Sequence, residues 1–209
     1  MAKAPSQQFL EIKQIRDGVM ILKDGSLRKI LAVSSLNLAV KSKEEQEAIF
    51  YQFQNFLNSL DFFCQIIVQS QRLNITGYLE ELEKLEQKQP NELLKFQTRN
   101  YRQFIQKLVA TGTIMNKNFF LVVPFYMSEL KEVIPSKKAG KGEMAELKFQ
   151  LAKNQLEQRA EFLILGLRRC GLNAAPLNSE QLIELLWNFY HPKEAEMGYY
   201  PSIPSEIIK

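Results

Sequence analysis

The residues best suited to chemistry are Lys137, Lys138 and Lys141, grouped around Gly140 and Gly142. A nucleotide-binding P-loop joins glycine-permitted backbone turns to a lysine for the phosphates and a hydroxyl for magnesium. The run Lys138-Ala139-Gly140-Lys141-Gly142-Glu143 lacks the first glycine at the required spacing and carries Gly142 where the hydroxyl belongs. ATP binding is therefore not expected there. What remains is a basic, loop-like segment: a candidate contact for phosphates or an acidic partner surface, or simply a solvated loop.

Metal and nucleophile chemistry find little purchase. A zinc site gathers three or four Cys, His or carboxylate ligands, and this chain has one histidine, His191, with two cysteines, Cys64 and Cys170, far from it in sequence. A Cys64–His191 nucleophile pair is opposed by the apolar run around Cys64, which should bury the thiol and keep it inert. The three aspartates, Asp17, Asp24 and Asp61, stand singly at turns or element boundaries, a poor start for a two-metal site. No metal or cofactor is expected, and no enzymatic activity.

Phe50, Tyr51 and Phe53 are spaced to offer a stacking platform for single-stranded nucleic acid. Their place on and beside a helical apolar stripe makes core packing the better reading. Trp187 fits either core or interface. With Tyr199 and Tyr200 of the tail GYYPSIPSEIIK it forms the candidate partner interface.

Around these residues stands an ordinary globular composition: 209 residues, 45% apolar and 24% charged, net charge +4, sequence pI near 8.9. That length suffices for a sizeable core. The basic bias is mild and by itself does not demand nucleic acid. Two isolated thiols make no disulfide framework. The N-terminus MAKAPSQQFLEIK lacks a signal-like apolar region, and the run Phe119 to Met127 is too short to span a bilayer. A cytoplasmic protein is expected, peripheral to the inner face of the membrane through its partners and without direct insertion.

Periodicity supplies the elements. Ser42 and Glu45 have capping-box spacing ahead of a helix whose stripe of Ile49, Phe53, Phe56, Leu57 and Leu60 must face a core. Phe62 to Val68 then reads as a buried strand. Upstream, Val19 to Leu22 and Leu27 to Val40 are strand-like and joined by Lys23-Asp24-Gly25-Ser26, where Asp-Gly predicts a type I′ hairpin; a change of alternation near Ser34 and Ser35 marks a bulge or bend. Downstream, a charged helix runs from Thr76 to about Gln89. A second, about 91–110, has Leu93, Phe96, Tyr101, Phe104, Ile105 and Leu108 as its apolar side. Ile114 to Tyr126 reads as a second buried strand, in which Pro124 limits central pairing. A loop over 128–142 precedes a long helix, about 143–170, with Gly171 as its C′ residue. Asn173 to Leu177 suggests a short edge strand, and Asn178 with Gln181 caps a last helix ending before Pro192. The order predicts an α+β fold: a mixed, largely antiparallel sheet with helices packed on it, in a single domain.

The segments Lys23-Asp24-Gly25-Ser26-Leu27, Asn37, Lys41-Ser42 with Glu45-Gln46, and Leu57 to Phe62 followed by Gln65-Ile66 and Ser70 resemble the TraC-like domain. That is the N-terminal domain of the conjugation ATPases of type IV secretion systems. The resemblance extends through Ile114 to Tyr126 and the pattern from Gly171 to Leu186, about residues 15–190 in all. It implies an assembly and docking module that contacts inner-membrane parts of a secretion channel. In that family a RecA-like ATPase domain follows, but this sequence carries no Walker motifs, so no catalytic residue is carried over.

The expected organisation is a flexible arm over residues 1–14, a TraC-like α+β domain over 15–191 and a proline-containing tail or linker over 192–209. The expected function is a non-catalytic docking component of a conjugative type IV secretion system. Its partners would be a separately encoded secretion ATPase and inner-membrane channel proteins, with homo-oligomerisation compatible. The rival is a basic nucleic-acid-binding accessory protein acting through the lysine segment.

Overall fold

A computed structural model of the chain describes residues 11–72, 75–111, 115–130, 141–192 and 194. Its architecture is α+β. Contacts divide the chain into two compact units, one built mainly from residues up to Val68 and from Asn118 to Glu184, the other from Gln69–Lys117 and Leu185–Ser202.

The first unit is organised by a sheet whose strands run in the order β1-β2-β3-β5-β4, namely β1 (Ile12–Arg16), β2 (Val19–Leu22), β3 (Leu27–Val33), β5 (Met115–Phe125) and β4 (Gln65–Arg72). A sixth strand, β6 (Ala174–Pro176), lies off this path and pairs with β3. The pairings β1–β2, β2–β3, β3–β5 and β3–β6 are all antiparallel. β5 covers one edge of β3 along its whole length, from Leu27↔Phe125 to Val33↔Phe119. On the other edge β2 takes the start of β3 and β6 its end. Pro124 does not interrupt the β3–β5 pairing; it stands opposite Arg28.

One face of this sheet, carrying Leu27, Leu31, Leu121, Val123 and Phe125, packs against the long helix α4 (Lys141–Arg169) through Phe149, Ala152, Leu156, Ala160 and Leu163. At ~1.5 Å per residue α4 is on the order of 40 Å long, enough to span the sheet. Lys29 lies on the same face almost wholly buried, its ammonium 3.5 Å from Glu157 of α4. α4 ends in a Schellman motif: Leu172 N–H donates to Leu167 O, Gly171 N–H donates to Arg168 O, and Gly171 has φ +80°. Helix α1 (Lys43–Asn58) opens on the expected capping box, with Ser42 Oγ accepting from Glu45 N–H and the Glu45 carboxylate accepting from Ser42 N–H. Helix α5 (Ser179–Tyr190) is capped by the same device between Asn178 and Gln181.

Several expectations are corrected. The arm assigned to residues 1–14 overlaps β1, whose polar Lys13 and Gln14 hide the strand from apolar pattern reading. The type I′ signature lies at Asp17-Gly18, where both φ values are positive (53° and 69°), in the β1–β2 turn. Asp24-Gly25 does form the β2–β3 hairpin, but only Gly25 is left-handed; Gly25 N–H donates to Leu22 O, and Asp24 Oδ1 accepts from Ser26. β3 stops at Val33 because Ser34 and Asn173 tie the chain off through Ser34 N–H to Asn173 O and Asn173 N–H to Ser34 Oγ. β4 starts at Gln65, since Phe62 turns inward against Phe162 and Arg159 while Phe63 is left in solvent. The helix expected from Glu143 begins at Lys141.

The second unit holds α2 (Thr76–Lys88) and α3 (Glu92–Thr111), joined by three residues as an antiparallel hairpin. Asn91 caps α3, its Oδ1 accepting from the N–H groups of Leu93 and Leu94. The seam between the two helices is polar. Glu86, 5% exposed, meets Arg99 Nε at 2.8 Å and Arg102 at 3.3 Å, and Arg102 also reaches Glu83 at 3.1 Å. The residues read as the apolar side of α3 are mostly exposed: Leu93, Phe96, Tyr101, Phe104 and Leu108 are open to solvent, and of that set only Ile105 is partly buried.

Candidate docking site

The first unit contains an apolar groove of about 360 Å³. Three structures build it. α1 supplies Ile49, Phe50, Phe53, Phe56 and Leu57 because these residues recur at helical spacing on one side. The sheet supplies Val33 at the end of β3, Ile66 of β4 and Phe119 and Leu121 of β5, with Cys64 just ahead of β4. The C-terminal turn of α4 supplies Leu167 and Cys170, with Leu172 beyond it.

Chemically the groove is nearly uniform. Among the described residues that line it, Ser34 and Ser35 supply the hydroxyls and none is charged. Ser34 Oγ already accepts from Asn173 N–H, fixing one corner. Phe50 and Ile66 are 58% and 60% exposed, so the wall continues outward as an apolar lip. Pockets of this kind take apolar groups and orient them with few polar contacts. Burial holds both thiols, Cys64 and Cys170, above the ordinary range, and Cys170 Sγ donates to Gly166 O at 3.5 Å. Both cysteines are free, and neither is placed as an activated nucleophile.

The aromatic trio separates. Phe53 packs on the core cluster and stacks obliquely with Phe56 at 6.0 Å, Phe50 lines the groove mouth, and Tyr51 points to solvent. The expectation of core packing thus holds for Phe53 and fails for Phe50 and Tyr51, since a helix resting on one neighbour buries a narrower stripe than its apolar residues cover.

Of the remaining sequence candidates the structure describes Lys141 and Trp187. Lys137 and Lys138 fall outside the described residues, as do Tyr199 and Tyr200. Lys141 is the first residue of α4 and so belongs to a helix. Trp187 lies half-buried in the second unit, stacked on His191 at 3.7 Å; its indole N–H and His191 Nδ1 are buried without a hydrogen-bond partner. Among the described residues no three His, Cys, Asp or Glu side chains are grouped to hold a metal ion, and no helix is long and apolar enough to cross a membrane. Sequence reading missed the groove itself: its lining comes from five separate stretches, and the available signal was only that Phe50 falls beside the stripe of α1.

The family model of the archaeal TraC-like domain matches residues 13–192, from within β1 to just beyond α5. The chain belongs to the TraC-like family. This TraC-like domain places the protein in a family related to type IV secretion and conjugation. No curated protein matches the chain. Within the TraC-like match lie every described strand after the start of β1, the five described α-helices and the described lining of the groove.

Proposed function

We propose that this TraC-like protein is a non-catalytic docking component of a conjugative type IV secretion system. It works with a separately encoded ATPase and inner-membrane channel proteins at the cytoplasmic face of the membrane. The observation that carries the reading is the apolar groove beneath α1, with its exposed lip of Phe50 and Ile66 and no charged group among the described residues of its lining. Such a surface suits the aliphatic or aromatic anchors of a protein partner, the kind of side chain that dominates binding energy at interfaces. The family membership supplies the secretion context.

The test is an affinity purification of the full chain from its native cell, with proteins and nucleic acid both identified after low-salt and high-salt washes. A salt-resistant complex with an ATPase or a membrane channel protein, lost on Phe50→Asp or Ile66→Asp, is the expected outcome. Recovery of the same partners by wild type and both variants removes the groove from the reading. Recovery of nucleic acid alone, released by high salt, overturns it.

A further inference from the structure

β4 ends the strand order of the sheet, with β5 as its hydrogen-bonded neighbour. Among the described residues no strand pairs with its outer side. An outer strand turns every second backbone N–H and C=O away from the sheet. Proteins commonly guard such an edge with a charged side chain, a proline or a very short strand. β4 is eight residues long, and from Gln65 to Gln71 it has no charged residue, no proline and no glycine. Its side chains add a second observation. Ile66 lines the groove, and Val68, two residues on and so on the same face, is 53% exposed. Ile66 therefore belongs both to the unguarded edge and to the apolar lip, within the first unit.

We propose that β4 takes an extended segment of a partner protein as an added strand, whose side chains on the face of Ile66 and Val68 fill the groove. This rests on the docking function proposed above and gives the partner its chemistry: an extended stretch, apolar at every second position. Hydrogen bonding selects the occupant. The N–H and C=O groups that alternate along an edge are met by another backbone in β conformation, whereas a helix has spent its own groups internally. Side-chain direction selects against a second copy of the chain. Its β4 would bring the same Ile66, which already lines that copy's own groove, and both grooves would stay open. With no charge between Gln65 and Gln71, the partner is chosen by apolar fit at alternate positions, and the main chain supplies the affinity.

The probe is a library of twelve-residue peptides displayed on phage, selected on the immobilised full chain, with the enriched peptides then synthesised. Apolar residues at every second position are expected, and Val68→Lys, which places a charge at the edge and leaves the groove lining intact, should weaken binding at least about tenfold. N-methylation reads the binding mode directly. Methylating alternate residues in one phase removes the donors to β4 and should weaken binding at least about tenfold, while the other phase leaves it within about twofold. Circular dichroism checks that Val68→Lys folds, and the N-methyl comparison needs no variant. Peptides lost on Phe50→Asp but indifferent to Val68→Lys and to both methylation phases keep the groove and overturn the added strand. Peptides indifferent to Phe50→Asp as well as Val68→Lys overturn both readings. No enrichment, or apolar residues at helical spacing, overturns the strand. So does a chain that dimerises in sedimentation and loses the dimer on Val68→Lys, since a second copy then holds the edge.

Discussion

Gly166 and Phe56 touch so closely that a Cβ on Gly166 would lie 2.3 Å from Phe56 Cδ2. The ring of Phe56, the buried residue of α1, thus rests on the bare backbone of α4 and sets the depth at which α1 sits over the groove. Gly166→Ala gains helix propensity of about 1 kcal/mol but must displace a buried aromatic ring, a change that costs about 1–3 kcal/mol when a core is overpacked. Net destabilisation is expected in urea unfolding, relieved in part by pairing Gly166→Ala with Phe56→Leu. Equal cost in the wild-type and Phe56→Leu backgrounds would show that the ring is not the obstacle.

Ser42→Ala removes one half of the capping box on α1. A loss of about 1 kcal/mol is expected, read as a lower urea midpoint with an unchanged slope. Ser42→Thr should retain most of the stability.

Arg16 and Glu146 join β1 to α4 through a forked pair of hydrogen bonds at 2.9 and 2.8 Å. The Arg16 bond, with help from Gln150, holds the Glu146 carboxyl below its ordinary range. A carboxyl depressed on folding contributes stability above its unfolded pKa and loses it as pH falls through the lower folded value. The melting temperatures of wild type and Glu146→Gln should therefore differ at neutral pH and converge in acid. A gap that persists below both carboxyl pKa values would assign the effect to packing.

Burial raises both thiols, so little thiolate is present at neutral pH. Slow reaction with a disulfide reagent is expected in the native protein, with the half-buried Cys64 ahead of the buried Cys170 and both immediate in urea. If a partner fills the groove, its addition should slow Cys64 further, because Cys64 lines that wall.

Lys137, Lys138 and Lys141 offer a discriminating control for the nucleic-acid alternative. Binding dominated by phosphates weakens steeply with salt, through counterion release. Under the docking reading, replacing all three with alanine leaves partner recovery and its salt dependence unchanged. A flattened salt slope for bound nucleic acid would return the lysines to a functional role.

Local patterns determined much of this molecule. The capping boxes at Ser42 and Asn178, the Gly171 helix end and the helical periods are contacts within a few residues, so spacing alone specifies them, and the α+β class follows from their order. Tertiary structure decided the rest. β1 exists because the positive φ pair at Asp17-Gly18 folds a polar strand onto β2. The groove exists because α1, strands β3, β4 and β5 and the last turn of α4 meet at one place. The apolar residues of α3 have the same period whether they face a core or solvent; burial of Glu86 against Arg99 and Arg102 turned them outward. Periodicity fixes which side chains share a face, and only the neighbouring elements determine what that face meets.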